Sequence, residues 1–106
     1  MLIKKPIFAA IFILMLTIGA VQAGGDSAAG AALAADCTDC HGEDGKGDED
    51  SPALAGLDEA YLIEQLKAFK SGERVDEDEM MSMYAEDLSE QNTADLAAYY
   101  ASLSAD

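Results

Sequence analysis

Cys37-Thr38-Asp39-Cys40-His41 is the stretch on which the reading of this chain turns. Two thiols three positions apart on a helical turn lie on one side of the backbone. The histidine directly after them is the only one in the sequence. Upstream, Ala28 to Asp36 is alanine-rich with Gly30 and Leu33, and reads as a short helix that Asp26 or Ser27 caps. Its small residues let another helix pack very close. Downstream, Gly42 to Asp50 holds three glycines among charges and reads as a loop. Ser51-Pro52-Ala53-Leu54-Ala55-Gly56 is rich in turn residues, with one leucine to bury.

The rest of the chain reads as helices joined by polar loops. Asp58 is a good N-cap for a helix from Glu59 to about Lys70, ended by Ser71-Gly72. Leu62, Leu66 and Phe69 fall at i, i+4 and i+7 and make one apolar face. Glu73 to Glu79 is mostly acidic and reads as a loop, followed by Met80-Met81-Ser82-Met83-Tyr84. Ser89 caps a last helix running to about Leu103, with Leu96, Tyr99 or Tyr100, and Leu103 as its stripe. No alternating β pattern occurs. The expected fold class is all-α, three to four short helices, with loops long enough in so small a domain to wrap something.

The first 23 of the 106 residues read as an export signal. Lys4 and Lys5 form its positive start, Ile7 to Ile18 is apolar but for Thr17, and Val21-Gln22-Ala23 fits a cleavage site. The apolar run is shorter than the about 20 residues of a spanning helix, so cleavage is favoured over the alternative of an uncleaved membrane anchor, and no stable membrane insertion is expected after cleavage. Residues 24–106 then form one small domain, placed by its leader in the periplasm.

All 21 acidic residues lie after position 23, against four basic ones, Lys46, Lys67, Lys70 and Arg74, for a formal charge of −17. Nucleic acid is excluded as a partner, because phosphate binding needs a basic face. The same segment holds only 11 Leu, Ile, Val and Phe among 83 residues. That is below the ~20 % at which a highly charged chain is expected to stay disordered. Either the segment is disordered, or something other than its own side chains fills the middle.

The cysteine motif supplies that filling. C-x-x-C-H is the attachment pattern of c-type haem: each thiol bonds one vinyl group of the same porphyrin, and the histidine faces the iron from one side. A thioredoxin-like pair needs a βαβ context, which is absent. A disulfide across so short a loop stabilises little. A zinc half-site needs further Cys or His, and there are none. One haem c per chain, bound through Cys37 and Cys40 with His41 on the iron, fits instead. With no second histidine, the other axial ligand is sought among Met80, Met81 and Met83. A thioether there raises the reduction potential and suits electron transfer.

These residues, taken together, resemble a small class I bacterial c-type cytochrome. The resemblance runs from about Gly24 to Leu103. It rests on Gly30; Cys37 to Gly42; Pro52-Ala53-Leu54-Ala55-Gly56; Tyr61 to Leu66; Phe69 to Arg74; Leu88-Ser89; and Ala94 to Tyr100. It implies a cytochrome c-like fold around the haem, with Gly30 crossing Tyr99 or Tyr100. It implies that the Pro52 carbonyl accepts the His41 Nδ1 proton, that Leu54 packs on the porphyrin edge, and that Tyr61 and Arg74 hydrogen-bond the propionates. It also implies that Met81, seven residues before Leu88, is the second iron ligand. At Asn92-Thr93 relatives often carry an acidic residue followed by an aliphatic one, so the last helix is expected to lose one apolar contact.

The implied function is electron carriage by Fe(III)/Fe(II) cycling between redox partners, with no catalytic residues. The alternative is the haem c subunit of a redox enzyme complex, such as a sulfide-oxidising flavocytochrome. The expected state is a monomer or a subunit of a small complex. An acidic carrier favours redox partners with a basic docking patch.

Overall fold

Asp26 begins the ordered architecture. Its carboxylate accepts from the amides of Ala28 (2.9 Å) and Ala29 (3.4 Å) and so caps α1, Ser27–Leu33. A 3₁₀ turn, Ala34–Asp36, leads into α2, the single turn Thr38–His41 that carries the cysteine motif. Asp58 caps α3, Glu59–Ser71, by accepting from the Tyr61 amide at 3.1 Å, and Gly72 ends it in the left-handed conformation. A shorter helix, α4, spans Met80–Glu86, and α5 spans Glu90–Ser102. This computed structural model describes residues 24–106, so the expected leader lies outside the described residues. Among the described residues there is no strand, and no helix is long and apolar enough to cross a membrane.

Among the described residues, four helices and one isolated turn realise the three to four expected. The helix that the sequence did not announce is α4. Its N-cap residue, Glu79, has a left-handed backbone (φ 56°) and makes no capping bond with its side chain. The residue that does reach the first turn is Asp76, whose Oδ2 accepts from the Met81 amide at 3.4 Å. A cap five positions away leaves no local pattern to read.

α1 and α5 cross at Gly30. A Cβ there would lie 2.0 Å from the Asp95 carbonyl oxygen and 2.7 Å from the Tyr99 Cβ. Tyr99 is therefore the aromatic at the crossing, and Tyr100 turns into the core, 4 % exposed. Alanine is intrinsically the better helix former, but here its methyl group meets backbone that only a shift of the helices can move. Gly30→Ala is expected to cost ~2 kcal/mol, the middle of the range for overpacking. That cost appears as a drop of roughly 8–16 °C in thermal midpoint. An unchanged midpoint refutes the close crossing.

The same junction holds a buried carboxylate. Asp95 accepts from the Asp26 amide and the Gln91 side-chain amide, each at 2.8 Å, tying the start of α1 to α5. At the start of α5, Asn92 completes a reciprocal capping box with Ser89. The expected loss at Asn92-Thr93 is thus offset at Asn92, and Thr93 itself is buried.

The core is thin. Its buried apolar residues are Leu62, Phe69, Leu96 and Tyr100, plus the alanines at 34, 55, 85 and 97. Among the described residues none of the large side chains is fully enclosed. Leu66 on α3 and Leu103 after α5 pack against this cluster while staying partly exposed.

Candidate haem-binding site

The site is built from α2 and the loop that follows it. His41 is buried, and its backbone carbonyl accepts from the Gly47 amide at 2.8 Å. A Cβ on Gly47 would lie 2.2 Å from the Ser51 carbonyl oxygen, and its φ is 67°, so only glycine lets the loop fold back this tightly. The Gly45 carbonyl accepts from the amides of Leu54 (2.7 Å) and Ala55 (2.9 Å), and the Gly56 amide donates to the Tyr100 carbonyl at 2.9 Å. These bonds close the loop over α2 and bring the Pro52 carbonyl to 2.8 Å from His41 Nδ1. A carbonyl only accepts, so Nδ1 carries the proton. Nε2 is then the nitrogen with a free lone pair, fixed in orientation for a metal.

Cys37 and Cys40 are both free thiols, one half-buried and the other exposed. Burial pushes the Cys37 thiol above its ordinary range; the neighbouring Tyr100 hydroxyl pulls it partly back, and the charges of Asp36 and Cys40 raise it further. The Tyr100 hydroxyl is itself pushed far above the usual phenol range, first by burial and then by Cys37. It is enclosed and makes no aligned hydrogen bond. A polar atom left unpaired beside a half-buried thiol marks a place where the protein's own atoms do not complete the packing.

The three methionines sit on α4. Met80 and Met83 are exposed, at 42 % and 62 %, whereas Met81 is half-buried. Leu54 is partly buried against the core cluster. Tyr61 is exposed on α3. Arg74 is exposed, donates to Gln65 Oε1 at 2.7 Å, and lies 4.6 Å above the Phe69 ring. The concave surface between α3 and α4, lined by Phe69, Lys70, Val75 and Met83 among others, contains neither cysteine nor His41.

Paired thiols, an oriented imidazole, an orphaned buried hydroxyl and, among the described residues, a core without one fully enclosed large side chain fit a covalently attached haem. The sequence profile described as Cytochrome c matches residues 27–104. The chain belongs to the cytochrome c family. With the spacing of Cys37, Cys40 and His41, membership supports haem c bound through the two cysteines.

Relatives place this cytochrome among small class I proteins. It is 44 % identical over 93 residues to cytochrome c4 of Pseudomonas aeruginosa, covering 84 % of this chain and 45 % of that protein. It is 40 % identical over 80 residues to cytochrome c-554(548) of Halomonas halodenitrificans, covering 74 % of this chain and 96 % of that one. Its fold superposes on the thiosulfate dehydrogenase TsdBA of Marichromatium purpuratum with TM-score 0.72 and 35 % identity, covering 76 % of this chain and 20 % of that structure. The chain spans about half the length of the cytochrome c4 relatives that it matches.

Two residues of consequence escaped the sequence. The place of Tyr100 beside Cys37 depends on how α5 is rolled, and neighbouring tyrosines at 99 and 100 leave that roll open. Asp76 is one acid in an acidic run, and nothing local singles it out.

Proposed function

We propose that this cytochrome is a one-electron carrier working in the periplasm, with His41 and Met81 as the axial ligands of its haem c. The observation that carries the reading is the 2.8 Å bond from His41 Nδ1 to the Pro52 carbonyl, made beside two free thiols. Bound haem supplies the Fe(III)/Fe(II) couple. The chain holds it by thioethers at Cys37 and Cys40, presents Nε2 of His41 from one side, and fixes the ring through Pro52. Met81 is the ligand from the other side, supported by its being the least exposed of the three methionines. Leu54 packs on the porphyrin edge. Tyr61 and Arg74 serve the propionates, Arg74 by exchanging its bond to Gln65.

The test is intact mass with a visible spectrum after expression in a host proficient in cytochrome maturation. The expected product carries one covalent haem and is low-spin when oxidised. A colourless but stably folded product overturns the reading.

The charge predicts how partners meet. Lys70 donates to the Leu88 carbonyl and Arg74 to Gln65, so two of the four cations after position 23 are spent on uncharged acceptors. The carboxylates are left to steer a partner with a basic docking patch. Electron transfer to such a partner is expected to slow about tenfold or more between ~0.01 M and ~1 M salt, as the screening length falls from ~30 to ~3 Å. Stopped-flow rates that stay flat with salt refute steering.

A second reading is a haem c subunit or domain of a redox enzyme complex, favoured by the likeness to TsdBA. Size exclusion of the native protein separates the two. A species near the mass of the single domain supports the carrier, and a stable larger assembly supports the complex.

A further inference from the structure

Resting on the reading of Met81 as the axial ligand, we propose that Asp76 is a positioning residue that holds the Met81 segment in place. The four leading amides of a helix lack internal acceptors and must find them elsewhere. In α4 the adjacent residue fails to help: Glu79 caps nothing with its side chain and sits in the left-handed region, which a residue with a Cβ occupies at a cost.

Asp76 holds the segment twice. Its backbone carbonyl accepts from the Glu79 amide at 3.0 Å, closing the turn ahead of the helix. Its Oδ2 accepts from the amide of Met81 itself at 3.4 Å. Its other oxygen, Oδ1, is buried without a partner, as is the hydroxyl of Ser82 next to Met81. A carboxylate drawn in from water and only half used is an expensive way to fill space. It is an effective way to keep one amide, and with it one thioether, from drifting. Asp76 touches neither iron nor porphyrin in this scheme and acts through the backbone of Met81.

The consequence is kinetic. A small ligand such as imidazole can reach the iron only when Met81 leaves, and Met81 leaves when residues 76–83 open locally, one of the low-energy openings available to any fold. Asp76→Ala in the holoprotein is expected to accelerate imidazole binding to the ferric form about fivefold, equivalent to ~1 kcal/mol. It should also weaken the far-red sulfur-to-iron band. Asp76→Asn keeps an acceptor oxygen in the same place and should stay within about twofold of the parent. If Asp76→Ala yields no holoprotein, Asp76→Ser, whose hydroxyl is too short to reach the amide, carries the same expectation.

Ser89→Ala separates positioning from general loosening. It removes the cap of α5 and lowers the thermal midpoint without touching the Met81 segment. It should leave imidazole binding unchanged. The proposal is overturned if Asp76→Ala binds imidazole at the parent rate, if Asp76→Asn is as fast as Asp76→Ala, or if Ser89→Ala accelerates binding equally. A parent holoprotein without the far-red band overturns the Met81 reading, and this proposal with it. A parent that shows the band while Asp76→Ala behaves normally overturns the positioning role alone.

Discussion

Replacing Cys37 and Cys40 together by serine is expected to abolish both the covalent haem and the fold. The chain should emerge colourless, with the mass of bare polypeptide, and its far-UV helical signal should collapse. Half of the buried apolar positions are alanines, and Leu62, Phe69, Leu96 and Tyr100 are the only large apolar side chains that are buried, rather than partly exposed, among the described residues. Against them stands a net charge of −17 after position 23, whose like charges repel one another in any compact state. A small domain is stable by only about 5–15 kcal/mol, and a chain this poor in apolar area has no such margin without the porphyrin face. Serine is close to cysteine in size and cannot form a thioether, so the main change is the loss of the two covalent attachments. A colourless double variant that keeps the parent's helix content and unfolds cooperatively refutes the porphyrin as the missing core.

Removing the proposed sixth ligand should leave the fold standing and change the redox chemistry. Met81→Ala retains both thioethers and His41, so the holoprotein should form. Its far-red sulfur-to-iron band should vanish, exogenous ligands should bind without waiting for the segment to open, and the reduction potential should fall. A thioether favours the reduced iron, and a drop on the order of 0.1–0.2 V is a modest part of the ~0.8 V that axial ligands command. Potentiometric titration with the oxidised spectrum checks both points. Met80→Ala and Met83→Ala should keep the band, because both side chains already face solvent. If Met80→Ala removes it and Met81→Ala does not, the register of α4 against the iron is wrong by one residue.

The two experiments divide the protein by mechanism. The cysteines act on stability, because they attach what completes the core. The methionine, as the proposed sixth ligand, is expected to act on potential and ligand exchange. His41 belongs to both, its buried ring being locked by the loop that closes over it.

Local signals in the sequence carry a good part of the architecture. The caps at Asp26, Asp58 and Ser89 stand one residue before the helices they begin, and Gly72 one residue after the helix it ends, so each boundary is legible from neighbouring residues. The cysteine motif is legible because its chemistry depends on spacing within a single turn. The shortage of aliphatic residues is legible from composition, which leaves disorder or a non-protein filling of the core, and the cysteine motif chooses the filling.

What only the tertiary structure decided depends on residues far apart in the chain. The crossing at Gly30 selected Tyr99 over Tyr100, since the choice rests on how α5 is rolled against α1. The burial of Asp95 followed from the same contact, its carboxylate being satisfied by an amide 69 residues away. The helix at Met80–Glu86 and its side-chain cap from Asp76 appeared only once the acidic loop was folded back on itself. Short-range hydrogen bonds and helix ends are written in adjacent residues, whereas the roll of a helix and the place of a buried charge are set by packing, which no window of neighbouring residues contains.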